Sequence, residues 1–222
     1  MAAALFLDAE PWVDWSWVST HVPTVLGDLG QHVELTVISL AAGVVIALPL
    51  GVAAYRWTGL RLPTLGLFGA FYTIPSIALF ALLIPYTGLT TATALIPLIG
   101  YNVLILVRNV IVGLDEVPRD VLDAADGMGY RPLARLLQVE LPLALPAILA
   151  GVRVATVSTI GIVTITAVIG FGGLGALILQ GLIESFHTPL VVGALMGVLV
   201  ANFADVGLAA GQRWLLPWAR SE

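Results

Sequence analysis

The residues able to do chemistry are few, and most of them fall in one stretch. From Gly113 to Pro146 the chain reads GLDEVPRDVLDAADGMGYRPLARLLQVELPLALP. Pro118 suits the first turn of a short helix that Arg119 to Asp126 continue, and Gly127 and Gly129 then break it. Pro132 suits the start of a second short helix, predicted to end near Pro142. The expected product is a helix–turn–helix elbow. Leu122, Ala125, Met128 and Tyr130 would give it an apolar knob, with Arg131 and Arg135 beside it. An ordinary connection between two helices is the plainer reading. A connection of this length is more often functional or disordered than idle.

The rest of the sequence narrows the chemistry by exclusion. There is no cysteine, so disulfides, thiolate catalysis and Cys-based metal sites are ruled out. Lysine is absent, and a phosphate-binding P-loop needs one. Gly170-x-Gly172-x-x-Gly175 matches the dinucleotide fingerprint in form, but it follows an apolar helix and no acid lies about 20 residues on. A kinked segment, a short re-entrant helix or a gate fits it better. His21, His32 and His187 lack neighbours at metal-ligand spacing and read as solvated surface residues. No nucleophile–base pair is evident, so neither a catalytic residue, a metal nor a cofactor is expected. The net charge of −5 argues against nucleic acid as a partner.

Lipid, by contrast, is demanded. The 222 residues are 59% hydrophobic and only 10% charged, against roughly a quarter charged in an average soluble chain. Crossing a hydrocarbon core about 30 Å thick takes about 20 helical residues. Five stretches qualify: Val33–Tyr55, Leu62–Ile84, Leu89–Val112, Ala147–Ile169 and Leu190–Gln212. Pro49, Pro75 and Pro97 inside them do not exclude helix, because neighbouring helices satisfy the freed backbone groups. The predicted fold is therefore all-α and polytopic, with five transmembrane helices. Its parts are an extracytoplasmic amphipathic segment (1–32), a membrane domain (33–212) carrying the elbow (113–146), and a cytoplasmic tail (213–222).

Arginine sets the orientation. Arg56 and Arg61 flank the first connection, and Arg108, Arg119, Arg131, Arg135 and Arg153 surround the third. Arg213 and Arg220 follow the last span. The positive-inside rule puts the N-terminus outside and the C-terminus in the cytoplasm. Trp12, Trp15 and Trp17 then sit at the outer face, and Trp57, Trp214 and Trp218 at the inner face, as aromatic belts do.

Polar residues inside spans are expensive and face partners or cavities. Tyr72 and Ser76 around Pro75, Asn102, Asn109, Thr156 and Thr159 are the candidates for a translocation pathway. For the Ser and Thr residues, bonding back to their own helix competes with that role. Asp205 either pairs with Arg153 or reaches water.

The elbow also resembles a known motif. Asp123-Ala124-Ala125, three residues, Gly129, nine residues and Val139-Glu140-Leu141-Pro142 match the spacing of the cytoplasmic Glu-Ala-Ala…Gly…Ile-x-Leu-Pro motif. That motif marks permeases of binding-protein-dependent ATP-binding-cassette importers. Asp replaces Glu at 123 and Val replaces Ile at 139. The runs Tyr72–Leu89, Glu140–Thr156 and Val168–Leu182 resemble the glycine betaine, choline and related osmoprotectant permeases. The resemblance implies a bacterial-type inner-membrane protein, not itself an enzyme, that pairs with ATPase subunits, an extracytoplasmic solute-binding protein and a second permease chain, identical or homologous. Asp123 would cap or orient the elbow, Ala124 and Ala125 would allow close approach, and Gly129 would make the turn. Leu141 and Pro142 would tie the elbow to span four, with Arg131 and Arg135 also at the ATPase contact. A secondary transporter or channel acting without an ATPase, or an importer for another small solute, is the alternative.

Overall fold

The structure, a computed structural model, describes residues 12–220; Asp8 and Glu10 of the N-terminal segment lie outside the described residues. It is helical throughout the described residues. A short helix α1 (Trp15–Thr20) leads into α2 (Val22–Arg56), followed by α3 (Thr58–Thr73), α4 (Ser76–Thr87) and α5 (Thr91–Asp115). The elbow helices α6 (Arg119–Gly127) and α7 (Pro132–Arg135) precede α8 (Leu141–Val163), and α9 (Leu174–Glu184) and α10 (His187–Leu215) follow, with a short 3₁₀ turn at Pro217–Arg220 after them. Four helical stretches are long and apolar enough to cross a membrane, and the bent pair α3–α4 makes a fifth.

Helix α5 is the hub, packed against α2, α3, α4 and α8. The sequence permits this by placing glycines opposite its bulkier residues. A Cβ at Gly43 or Gly51 of α2 would lie 2.8 Å from Asn102 Cβ or 2.6 Å from Val110 Cβ, and one at Gly151 of α8 would lie 2.5 Å from Asn109 Cβ. Small residues at such crossings let backbones approach, and that packing holds helices together where lipid offers no hydrophobic drive. Ala47, Ala54, Val103, Val107 and Ala155 fill the seam. Helix α10 is peripheral, with Leu195, Val198, Phe203 and Val206 exposed.

The second span is not the single rod the sequence suggests. Helices α3 and α4 meet at 95°. Pro75 disfavours helical geometry at the residue before it, and Ile74 is extended at φ −71°, ψ 126°. Pro75 is itself extended (φ −56°, ψ 133°), so the chain turns a corner rather than kinking. The corner frees the Ile74 carbonyl, and the Tyr101 hydroxyl of α5 donates to it at 2.6 Å. Pro49 and Pro97 lie inside continuous helices, as expected.

Two further expectations change. The second elbow helix does not stop near Pro142. It runs through a π-helical turn at Leu136–Glu140 straight into α8, giving one helical stretch from Pro132 to Ile169. The wider turn lets the Leu141 N–H reach back to the Leu136 carbonyl, absorbing the register change just before the proline. His32 is not a solvated residue either. Helix α2 begins at Val22, so His32 lies on its third turn, fully buried, with Nε2 3.1 Å from the Ile160 carbonyl of α8. His187 is exposed and His21 half-buried.

Candidate functional site

The elbow forms where glycine and proline require it. Met128 N–H bonds the Ala124 carbonyl at 3.0 Å and Tyr130 N–H bonds the Ala125 carbonyl at 3.1 Å, closing the end of α6. Between them Gly129 adopts φ +81°, a left-handed conformation that costs a side-chain-bearing residue about 1–2 kcal/mol. Arg131 is extended, and Pro132 opens α7 at a first-turn position where its missing N–H is harmless.

The turn sorts the motif residues. Asp123 and Ala124 are exposed, whereas Ala125 is buried beneath them. Met128, Leu133 and Leu137 are at least half exposed and form the apolar surface of the elbow, while Leu122 and Tyr130 are partly covered. Arg119 and Arg131 make no ion pair among the described residues, so both remain available on this face. Leu141 and Pro142 sit half-buried where the elbow joins α8. Leu136 and Leu141 pack there against a cluster of Val110, Leu114 and Ala144, to which Tyr55 of α2 also belongs.

Arg135 turns inward instead. Its Nε donates to Glu140 Oε1 at 2.8 Å, and its Nη1 pairs with Asp126 of α6. Arg56, the last residue of α2, donates to the same Oε1 at 2.9 Å. Glu140 is fully buried, and its Oε2 has no hydrogen-bond partner among the described residues. Two carboxylates and two guanidiniums thus form a neutral cluster joining α2, both elbow helices and the root of α8. Sequence reasoning passed over Glu140 as an unspecified motif position. The signal available was a lone acid between apolar residues, which has to find a cation when buried. The predicted partnership of Arg153 and Asp205 is present, with two hydrogen bonds of 2.9 Å between α8 and α10.

The candidate pathway residues fall in three places. Tyr72, Pro75 and Ser76 lie at the α3–α4 corner, where Tyr72 meets Tyr101 edge to face at 5.4 Å. Asn102 and Thr159 are buried together, the single Thr159 hydroxyl proton shared between Asn102 Oδ1 and the Ala155 carbonyl of its own helix, each at 2.7 Å. Asn109 and Thr156 bond back to the carbonyls of Ile105 and Val152 on their own helices. At the end of the bundle away from the elbow, Gly170 (φ +83°) and Gly173 (φ +44°) lead into α9, and the Gly173 N–H is held by Gln31 Oε1 at 2.8 Å. The glycine fingerprint therefore follows a 3₁₀ turn and no strand. Asp14 caps α1, and hydrogen bonds from Ser16 and Trp17 hold its carboxyl below the usual range. Its own N–H donates to Thr188 of α10 at 2.8 Å.

Known proteins resemble this chain in sequence and in fold. The family described as binding-protein-dependent transport system inner membrane component matches residues 39–217. The osmoprotectant import permease protein OsmW of Salmonella typhimurium is 41% identical over 79% of this chain and 84% of its own length. The choline transport system permease protein OpuBB of Bacillus subtilis is 35% identical over 84% of this chain and 86% of its own. Among solved structures, an inward-facing MetNI methionine ABC transporter chain is similar in fold, with a TM-score of 0.75, 23% identity, and coverage of 84% of this chain and 94% of that one. With the match running from the middle of α2 to the end of α10 and the relatives aligned over most of their length, the chain belongs to the family of binding-protein-dependent transport system inner membrane components.

Proposed function

We propose that this permease carries glycine betaine, choline or related quaternary-ammonium osmoprotectants, and that its elbow, from Asp123 to Pro142, is the surface on which the ATPase subunit acts. The chain is a multi-pass inner-membrane permease subunit, and ATP hydrolysis belongs to a separate subunit of the importer. The solute class rests on the relatives, whose names include osmoprotectant, choline, carnitine and glycine betaine transport. The docking role rests on one observation above the rest. The elbow presents Met128 and Leu133 to the outside among exposed charged residues, Asp123 and Arg131 included, an apolar and charged surface unlike a lipid-facing one.

In this reading the N-terminus is extracytoplasmic and the elbow cytoplasmic, the orientation that the arginine distribution favours. A second permease chain completes the pathway, and Tyr72, Pro75, Ser76, Asn102, Asn109, Thr156 and Thr159 remain its candidate polar and hinge positions. Discrimination among solutes belongs largely to the binding protein, where an aromatic cage attracts a quaternary ammonium.

Gly129→Leu tests the elbow. No neighbour lies within 4 Å of a Cβ at this position, so the change strains only the turn and fills the space offered to a partner. The variant should reach the membrane normally while uptake of radiolabelled choline and glycine betaine falls about tenfold or more. Normal uptake would remove the docking assignment. Uptake persisting after deletion of the ATPase would replace it with ion-driven transport.

A further inference from the structure

We infer that the buried Glu140 cluster is a charge latch that fastens the elbow to α2 as well as to α8, so that one movement of the elbow displaces both helices. The inference rests on the elbow being the surface on which the ATPase acts. By backbone the elbow joins α8 as unbroken helix, through the π-helical turn at Leu136–Glu140, and joins α5 through the short connection 116–118, but it has no backbone link to α2. Its tie to α2 is the ion pair from Arg56 to Glu140, with a longer 3.4 Å hydrogen bond from Arg56 to the Pro132 carbonyl.

Four observations support a latch over a plain surface ion pair. Glu140 is fully buried, and a buried carboxylate is kept charged only by well-placed cations. Two guanidiniums converge on one of its oxygens, and they come from different elements, Arg56 from α2 and Arg135 from α7. Asp126 on α6 holds the other side of Arg135, so both elbow helices are tied into the same neutral group. Finally, the π-helical turn ends at Glu140 itself; such turns interrupt a helix at a cost and are frequent at functional sites.

Helix α2 is the right element to move. It packs along α5, the hub of the bundle, and also touches α3, α8 and α9. Near its other end Gln31 holds the Gly173 backbone, and His32 reaches Ile160. A displacement of Arg56 is therefore delivered through one continuous 35-residue helix to the glycine-rich segment before α9. Without the latch, the elbow would pull through the backbone on α8 and α5, and α2 would follow only through side-chain packing.

The test is made on the assembled transporter in proteoliposomes, with its ATPase and binding protein, using radiolabelled choline and glycine betaine. Arg56→Gln and Glu140→Gln should each lower solute taken up per ATP hydrolysed about tenfold. The ATPase should remain bound and should still hydrolyse ATP. The double variant should be no worse than either single one, and Arg56→Lys should recover most of the coupling, a rescue that a role in packing alone would not give. The chain has no cysteine of its own, so spin labels at Ala53→Cys on α2 and Gln138→Cys beside Glu140 report the α2–elbow distance directly. That distance should stay constant through the ATP cycle in the parent and diverge with Arg56→Gln. An unchanged ratio of uptake to ATP in Arg56→Gln, or a label distance that changes equally in parent and variant, overturns the latch. If instead Gly129→Leu leaves uptake intact, it is the docking reading that fails, and the two failures are separable. Should Glu140→Gln fail to assemble, the Arg56 series decides the matter alone.

Discussion

Tyr101 shows how a single hydroxyl maintains a non-helical corner inside a bundle. The Pro75 break leaves the Ile74 carbonyl without a helical partner, and in lipid an unpaired backbone group is costly. Tyr101, only 4% exposed, donates to it and stacks edge-on against Tyr72. Tyr101→Phe keeps the ring contacts and removes the donor, so it should destabilise the detergent-solubilised protein by about 1 kcal/mol, read as a lowered unfolding midpoint. No change would mean that water or another group serves the carbonyl. A second test at this scale concerns Asn102 and Thr159. Asn102→Leu and Thr159→Val should each destabilise, and a double-mutant cycle should return about 0.6–1.7 kcal/mol of coupling. Choline uptake measured on the same variants separates structure from pathway. Uptake per folded molecule should fall if Asn102 faces the solute, and stay level if the bond only joins α5 to α8.

Elements were legible wherever apolar length alone decides. Hydropathy located α2, α5, α8 and α10, because each carries a run long enough to cross lipid with few charges. It could not show that Pro75 turns a corner where Pro49 and Pro97 do not. The difference lies in whether a neighbour such as Tyr101 can take up the freed carbonyl, which is a tertiary fact. The elbow was legible because glycine and proline act locally: Gly129 alone in this stretch has a positive φ, and Pro132 opens α7. Glu140 and His32 were not, since burial of an isolated polar residue depends on which helix lies opposite it. Arg153 and Asp205 were only half legible, since a charge near the end of a span can reach either a partner or water, and the structure makes the pair. The glycine crossings offer the sharpest test at this scale. Gly151→Val would drive its Cβ into Asn109 and should cost at least about 1–3 kcal/mol by overpacking α5 against α8. Gly161→Val on the same helix, where no atom lies within 4 Å, should be nearly neutral by the same unfolding assay.

The whole molecule divides into a hub of α2, α5 and α8 and a rim of the other helices, and its two ends differ in character. One end carries the elbow, its ion pairs and exposed Trp57 and Trp214. The other carries α1, exposed Trp12 and Trp15, and the glycine-led helix α9. Membrane-impermeant maleimide should therefore label Thr24→Cys in intact cells and Asp120→Cys only after permeabilisation; the reverse pattern would invert the orientation. The rim also bears on assembly. Helix α10 buries only Thr188, Pro189 and Gly193, and α3 buries none of its residues. Polar groups at the α3–α4 corner are half exposed, with Tyr72 at 43%. A solute path bounded by one such chain would open sideways into lipid, where a charged quaternary ammonium is expensive. The intact transporter should accordingly contain two permease chains, with the α3–α4 corner of each turned toward the other. Native mass spectrometry of the purified transporter counts them. A cysteine introduced at Tyr72 should then cross-link to the second chain under mild oxidation when that chain is identical, or to a cysteine at the matching position when it is homologous. A complex holding a single permease chain would sink the two-chain pathway, whatever its transport rate.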